Sequence, residues 1–78
     1  MARGDLQAAR NVLARNVRRR RLAKGLTQEG LADAAKLRQA HISEIESSKS
    51  NVTLDALQRI ALALDTRVAE LLDDGKRG

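Results

Sequence analysis

The sequence predicts an all-α fold, and the reasons lie in its composition. The 78 residues include no Phe, Tyr or Trp, the side chains that favour strands, and no Pro to interrupt a helix. Good helix formers such as Ala, Leu, Arg, Glu and Gln are abundant. A hydrophobic content of 42% beside 32% charged residues is typical of a folded domain, and a chain this short can fill one core. We therefore expect one helical domain over residues 1–78.

The first predicted helix follows Asp5, whose carboxylate can cap it. Its apolar positions recur at the helical spacing of three or four residues: Leu6, Ala9, Leu13 and Val17. The helix continues through the arginine run, residues 18–21, and ends at Gly25, because Gly adopts the left-handed conformation at low cost.

Two short helices follow the first. Thr27 can cap the helix from Gln28 to about Ala35, and the next helix extends from about Gln39 to Glu46. Lys36 and Leu37 form a tight connection between them. Their inward positions are Leu31, Ala32, Ile42 and Ile45. Two short helices joined by so few residues predict a helix-turn-helix.

The remaining residues predict two more helices. Residues 47–51 have loop composition. Thr53 can cap a fourth helix, whose apolar stripe consists of Leu57, Ile60, Ala61 and Leu64. Residues 65–66 interrupt it, and a short last helix spans residues 68–72. We expect the tail, residues 73–78, to be frayed.

Positive charge is concentrated at the amino-terminal end. Residues 1–25 carry eight basic side chains and one acidic side chain, whereas residues 26–50 and 51–78 are each close to neutral. Such a basic helix suits an anionic polymer, or simply serves as a solvated face. A membrane-surface helix is a third candidate, but its apolar side lacks Trp and Phe, and the core needs Leu13 and Val17.

Composition argues against catalysis and bound cofactors. The chain has no Cys nucleophile, and its one His has no obvious triad partners. Because the sequence lacks a Gly-rich phosphate loop and a metal-ligand cluster, we expect no cofactor, no metal and no small-molecule ligand. No apolar stretch is long enough to span a bilayer, and the first residues do not form a signal peptide. We expect a cytoplasmic protein that is not an enzyme.

The two short helices and the segment after them carry a family resemblance. The segment GLTQEGLADAAKLRQAHISEIESSKSNVTLDALQRIALAL, residues 25–64, resembles the Cro/phage-repressor (XRE-type) helix-turn-helix family. The resemblance covers roughly residues 13–72. It implies a compact five-helix, lambda-repressor-like DNA-binding domain with the helix-turn-helix at about residues 27–46. HISEIE followed by NVTLDAL is most similar to the controller proteins of restriction–modification systems.

The resemblance also implies which residues contact DNA. Gln28 matches a residue that bonds a phosphate and braces the recognition helix. The positions that face the major groove hold Arg38, Gln39, Ala40, His41, Ser43 and Glu44. Gln can pair with adenine, Arg with guanine and Glu with cytosine. Lys49 and Asn51 match positions that touch the DNA backbone, and Arg18 in the arginine run is a further candidate. Each of these could also be an ordinary solvated side chain, and Glu44 could instead reject wrong sequences by repulsion.

The chain departs from the family pattern in the loop after the recognition helix and at two turns. Ser47, Ser48 and Ser50 stand where the family has Arg, Gly and Arg, so we expect weaker backbone contacts from that loop. Lys36 and Asp65 stand where the family has Gly. Left-handed backbone is costly for residues other than Gly, so we expect both turns to be adjusted.

Two further pairings follow from the resemblance. Arg21 and Glu46 match positions that form an ion pair between the first helix and the recognition helix, although Glu46 could instead be a free surface acid. Helix-turn-helix domains of this size bind palindromes through two copies. We therefore expect a homodimer, with an interface that includes Asp65, Val68 and Leu72.

Together these observations predict a sequence-specific transcriptional regulator that binds a palindromic double-stranded DNA operator as a homodimer. The nearest resemblance within the family predicts the controller protein of a restriction–modification system. The alternative is an antitoxin or phage-type repressor that uses the same fold with a protein partner. Asp33 and Glu44 leave room for a contact with RNA polymerase.

Overall fold

The computed structural model describes residues 6–75 of the chain. These residues form five α-helices: α1 Leu6–Ala23, α2 Gln28–Ala35, α3 Gln39–Glu46, α4 Leu54–Ala63 and α5 Val68–Leu71. No strand occurs among them, and the predicted all-α fold is confirmed. α2 and α3 begin and end at the predicted residues, whereas α5 is one residue shorter because Leu72 is its C-cap.

Threonine side chains fix the starts of two helices. Thr27 Oγ1 accepts a hydrogen bond from Gly30 N at 2.9 Å, and Thr53 Oγ1 accepts one from Ala56 N at 3.1 Å. Each caps an amide that has no partner within its helix. The predicted cap of α1, Asp5, and the side chain of Leu6 lie outside the part of the chain that the structure describes.

Four of the helices end with a residue in the left-handed conformation. These residues are Gly25, Lys36, Ser48 and Asp65, with φ angles of 71°, 61°, 62° and 56°. After each of them, the next amide bonds to a carbonyl five residues earlier, as Leu26 N does to Arg21 O at 3.0 Å. The predicted adjustment of the turns at Lys36 and Asp65 is therefore wrong. Both residues keep the left-handed backbone because it allows this hydrogen bond to close the helix end.

The core lies between the helices and is entirely aliphatic. Its buried leucine, isoleucine and valine residues are Leu13, Val17, Leu31, Ile42, Ile45, Leu57, Ile60, Leu64 and Leu71. α2 packs against α3 and α4, α1 packs against α3, and α5 contacts α1 and α4. Ala9 was predicted to face inward but is exposed, because it borders an open pocket at the start of α1, and Ala14 is buried instead. No helix of the described segment is long and apolar enough to cross a membrane.

Asn16 fastens the carboxy-terminal end of the domain to α1. Its side chain is buried, and Nδ2 donates to the carbonyl oxygens of Leu71 and Asp73 at 2.9 and 2.8 Å. Arg15 Nη2 adds a bond to the Asp74 carbonyl at 3.2 Å. Of the tail that the sequence predicts to fray, residues 73 and 74 are thus bonded to α1, and Gly75 N donates to Asp73 Oδ1 at 2.8 Å within the tail. Residues 76–78 lie outside the described residues.

Candidate nucleic-acid interface

Helix α3 has one face in the core and one face toward solvent. Ile42 and Ile45 are buried and anchor the helix. The residues predicted to face the major groove lie on the remaining surface: Arg38, Gln39, Ala40 and Glu44 are exposed, and His41 and Ser43 are half-buried. Arg38 occupies the N-cap position, but its side chain makes no capping bond. A guanidinium has no acceptor atom with which to cap a helix, and the exposed Arg38 side chain can instead donate to an external acceptor.

An open, mostly polar groove runs between α3 and the loop that follows it. The groove is lined by Arg38, Ala40, His41, Glu44, Lys49, Ser50 and Asn51. All but Ser50 are residues predicted to contact DNA, and the fold brings them together from a helix and a separate loop. Arg38 and Lys49 give one cation at the start of α3 and one in the loop, with the Glu44 carboxylate near them. This arrangement presents hydrogen-bond donors and acceptors on a surface that can enter a DNA groove.

Gln28 and Gln39 connect the two helices of the helix-turn-helix. Gln39 Nε2 donates to Gln28 Oε1 at 2.9 Å. Gln28 Nε2 in turn donates to Glu46 Oε1 at 3.2 Å. Each glutamine amide therefore uses one N–H inside the protein and keeps a second N–H for an external acceptor.

Arg21 and Glu46 form an ion pair between α1 and the end of α3. Arg21 Nε and Nη2 donate to the two Glu46 oxygens at 2.6 and 3.0 Å, and the side chains are 9% and 3% exposed. Arg21 Nη1 also donates to the Leu26 carbonyl at 2.8 Å. The hydrogen bond to Glu46 raises the pKa of Arg21 above its ordinary value, against burial, which lowers it. Glu46 thus points away from the groove, and its carboxylate is neutralised.

The arginine run, residues 18–21, divides into inward and outward side chains. Arg21 pairs with Glu46, Arg20 with Glu70 at 3.6 Å, and Arg19 Nη2 donates to Asn16 Oδ1 at 3.2 Å. Within this run, Arg18 alone makes no hydrogen bond or ion pair with another described residue, and it is exposed. Of the four guanidinium groups, Arg18 is therefore the one least committed to the fold.

Two side chains of α1 that the sequence interpretation did not single out reach the loop after α3. Gln7 Nε2 donates to the Ser48 carbonyl at 2.6 Å, and Arg10 Nη2 donates to Asn51 Oδ1. The sequence contains only a weak signal for these contacts. Arg10 lies seven residues before Val17, so the helical period places both on one side of α1. Nothing in the sequence indicates that the loop returns to that side.

The residues predicted for a dimer interface lie at the end formed by α4 and α5. Asp65 pairs with Lys24 of the same chain, Val68 packs partly against the core, and Leu72 is 44% exposed. Leu62, on the last turn of α4, is 66% exposed. The sequence interpretation did not single out Leu62, although a leucine outside the buried stripe of its helix was the available signal.

The described residues contain no group of His, Cys, Asp and Glu side chains that could hold a metal ion.

Comparison with known proteins places these features in a family. Residues 17–71 match the helix-turn-helix family HTH_3. Control protein C.SmaI of Serratia marcescens is 41% identical over 63 residues, which cover 81% of this chain and 75% of that protein. The hypothetical transcription factor NHTF from Neisseria is similar in structure, with a TM-score of 0.81 and 35% identity over 83% of this chain and 75% of that chain. The restriction–modification controller protein C.AhdI from Aeromonas hydrophila gives a TM-score of 0.77 and 34% identity, covering 80% of this chain and 94% of that chain. The resemblance inferred from the sequence is confirmed.

Proposed function

Since the chain belongs to the HTH_3 helix-turn-helix family, we propose that it is a DNA-binding transcriptional regulator that recognises a palindromic operator as a homodimer. The observation that carries this proposal is the groove beside α3. Seven residues line it, and their polar side chains offer an exposed guanidinium, an imidazole, a carboxylate, an ammonium, a hydroxyl and one amide. Such groups read base edges and hold phosphates.

The proposed contacts divide by chemistry. Arg38, Gln39 and Glu44 carry the donors and acceptors that match guanine, adenine and cytosine in the major groove. Ala40 offers a methyl group to thymine, and His41 and Ser43 supply further polar contacts in the same groove. Contacts to the phosphate backbone come from Gln28, Lys49, Asn51 and Arg18. The first group sets the sequence preference, and the second sets the affinity and its salt dependence.

The geometry of one domain supports the proposed homodimer. A single copy presents one recognition helix, and a palindrome has two half-sites about 34 Å apart, which two copies related by a two-fold axis can contact together. Exposed apolar surface is present at Leu62 on the last turn of α4 and at Leu72 after α5, whereas Val68 packs partly against the core. Sedimentation at micromolar concentration should show a species of twice the 8.5 kDa chain mass. A single 8.5 kDa species with and without DNA would exclude the dimer.

We further propose that the chain regulates a restriction–modification system, because C.SmaI and C.AhdI, which it resembles, are named control and controller proteins. The test is to select bound sequences from a random DNA pool. The expected result is one palindromic motif that also occurs upstream of neighbouring methyltransferase and endonuclease genes. Recovery of the motif beside a toxin gene or prophage genes would replace the controller role with an antitoxin or repressor role. Failure to enrich any motif would contradict sequence-specific binding.

A further inference from the structure

The loop between α3 and α4, residues 47–53, carries two of the proposed phosphate contacts but has little hydrogen bonding of its own. It starts with Ser48 N bonded to Ile45 O at 3.1 Å and Lys49 N bonded to Glu44 O at 3.0 Å. Beyond Lys49, the backbone amides of residues 50–52 donate to no backbone carbonyl of the described chain. Ser48 also holds a left-handed backbone without being Gly. Such a loop needs support from elsewhere to keep one conformation.

The support comes from the first turns of α1. Gln7 bonds the Ser48 carbonyl at 2.6 Å, and Arg10 bonds the side-chain oxygen of Asn51. Arg10 Nη1 also donates to Gln7 Oε1 at 3.4 Å, so the two α1 side chains brace each other. The two contacts have the same register: residues three apart on α1 meet residues three apart in the loop. One turn of α1 therefore bonds the loop on both sides of Lys49.

We infer that Gln7 and Arg10 are positioning residues that hold the loop after α3 in the conformation that contacts DNA. Arg10 donates to the side-chain oxygen of Asn51. This bond leaves the Asn51 amide N–H groups directed outward, where a phosphate can accept from them. Gln7 holds the carbonyl that precedes Lys49 and so limits where the Lys49 ammonium can lie. The family pattern has Arg, Gly and Arg where this chain has Ser47, Ser48 and Ser50, so bracing from α1 offsets the loss of loop cations and of a turn glycine.

This inference rests on the proposed DNA binding, and the first test uses no DNA. Hydrogen exchange of the free protein at the amides of Ser48 and Lys49 measures how often the hydrogen bonds of the loop open. Gln7→Ala and Arg10→Met should each raise exchange there about tenfold, because the closing bonds of the loop open more often. The Leu37 amide makes the same type of closing bond after α2, at 2.9 Å to Ala32 O, and should not change. Equal acceleration at Leu37, or no acceleration at Ser48 and Lys49, would overturn the positioning role.

The second test measures affinity for DNA selected from a random pool. Gln7→Ala and Arg10→Met should each weaken binding about tenfold, the loss expected when one charge-assisted phosphate contact is disordered. Arg59→Met removes the same charge from the exposed side of α4 and serves as the control. In an Asn51→Ala background, Arg10→Met should have little further effect, because its partner is already absent.

The outcomes separate the two proposals. If Arg10→Met lowers affinity with unchanged loop exchange and an undiminished effect in the Asn51→Ala background, Arg10 contacts phosphate directly and the positioning role is wrong. Faster loop exchange with unchanged affinity would also overturn it. If the wild-type protein binds no DNA, the proposed function fails, and the exchange measurement alone decides whether α1 holds the loop.

Discussion

Arg21 and Glu46 join the end of α1 to the end of the recognition helix through two hydrogen bonds, with both side chains almost completely enclosed. Glu46 also accepts from Gln28, which accepts from Gln39. The ion pair is therefore linked by successive hydrogen bonds to Gln39, which is proposed to read DNA. We therefore expect the pair to contribute both to the stability of the domain and to the orientation of α3.

Removing one partner of this pair should destabilise the domain strongly. Arg21→Met leaves a buried carboxylate, and Glu46→Leu leaves a buried guanidinium, so each should cost about 3–5 kcal/mol in the free energy of unfolding. The double variant should recover much of the loss, since no charge is stranded. Recovery stays incomplete because the Leu26 carbonyl and the Gln28 amide each lose a partner. Thermal melts followed by circular dichroism suit a chain without Trp or Tyr.

The exposed pair Lys24–Asp65 is the control, and Lys24→Met should cost less than about 1 kcal/mol. Additive losses for Arg21→Met and Glu46→Leu, each below about 1 kcal/mol, would show that the enclosed pair does not couple the helices. The raised pKa of Arg21 determines the pH range over which the ion pair stabilises the domain. Its stabilisation is complete below the ordinary arginine pKa and is lost only as pH rises through the higher folded-state pKa, in strongly alkaline solution.

The left-handed helix ends predict a simple route to a more stable protein. Lys36→Gly should raise the free energy of unfolding by about 1 kcal/mol, because Gly adopts φ near 61° without the clash that a Cβ creates. For a domain of this size, the midpoint of thermal unfolding should rise by about 4–8 °C. Gly25→Ala is the opposite control: a Cβ there meets no atom within 4 Å, so its loss of stability reports backbone strain alone. A Lys36→Gly variant that melts at or below the wild-type temperature would contradict backbone strain at Lys36.

Salt dependence should identify the side chains of α1 that face DNA. Arg18 is exposed and pairs with no other residue of the segment 6–75, so Arg18→Ala should lower the slope of log K against log salt by about 0.9 for each phosphate it neutralises. All sequences should lose affinity alike, because phosphate contacts carry no base preference. Arg59→Ala, on α4, removes an equal charge and should leave the slope unchanged. If Arg18→Ala binds random DNA with wild-type affinity and slope, Arg18 only solvates α1.

The local parts of this fold could be predicted from the sequence, and the contacts between distant segments could not. The bounds of α2 and α3 and the caps at Thr27 and Thr53 depend on neighbouring residues, so propensity and spacing were sufficient. Asn16 has no such local signal, because its partners Leu71 and Asp73 lie more than fifty residues away. The turn at Lys36 was mispredicted for a related reason: local strain argued for adjustment, but the closing hydrogen bond and the packing of α2 on α3 outweigh it.

Gln39 should determine the base preference at one position of each half-site. One N–H of its amide is held by Gln28 at 2.9 Å, which leaves Oε1 and the second N–H free. These are the acceptor and the donor that a glutamine needs to pair with both adenine N6 and N7, so the internal bond orients the amide without blocking it. Gln39→Ala should relax the preference at that base pair and cost about 1–3 kcal/mol against the preferred base. Gln28→Ala is the comparison variant: it should weaken binding to all sequences, because Gln28 is proposed to hold a phosphate. It should also relax the preference at the Gln39 base pair in part, because it removes the bond that orients the Gln39 amide. Binding measured on a pool that carries every base at each operator position separates the two effects. A loss from Gln39→Ala that is uniform over all four bases at every position would assign Gln39 to the DNA backbone.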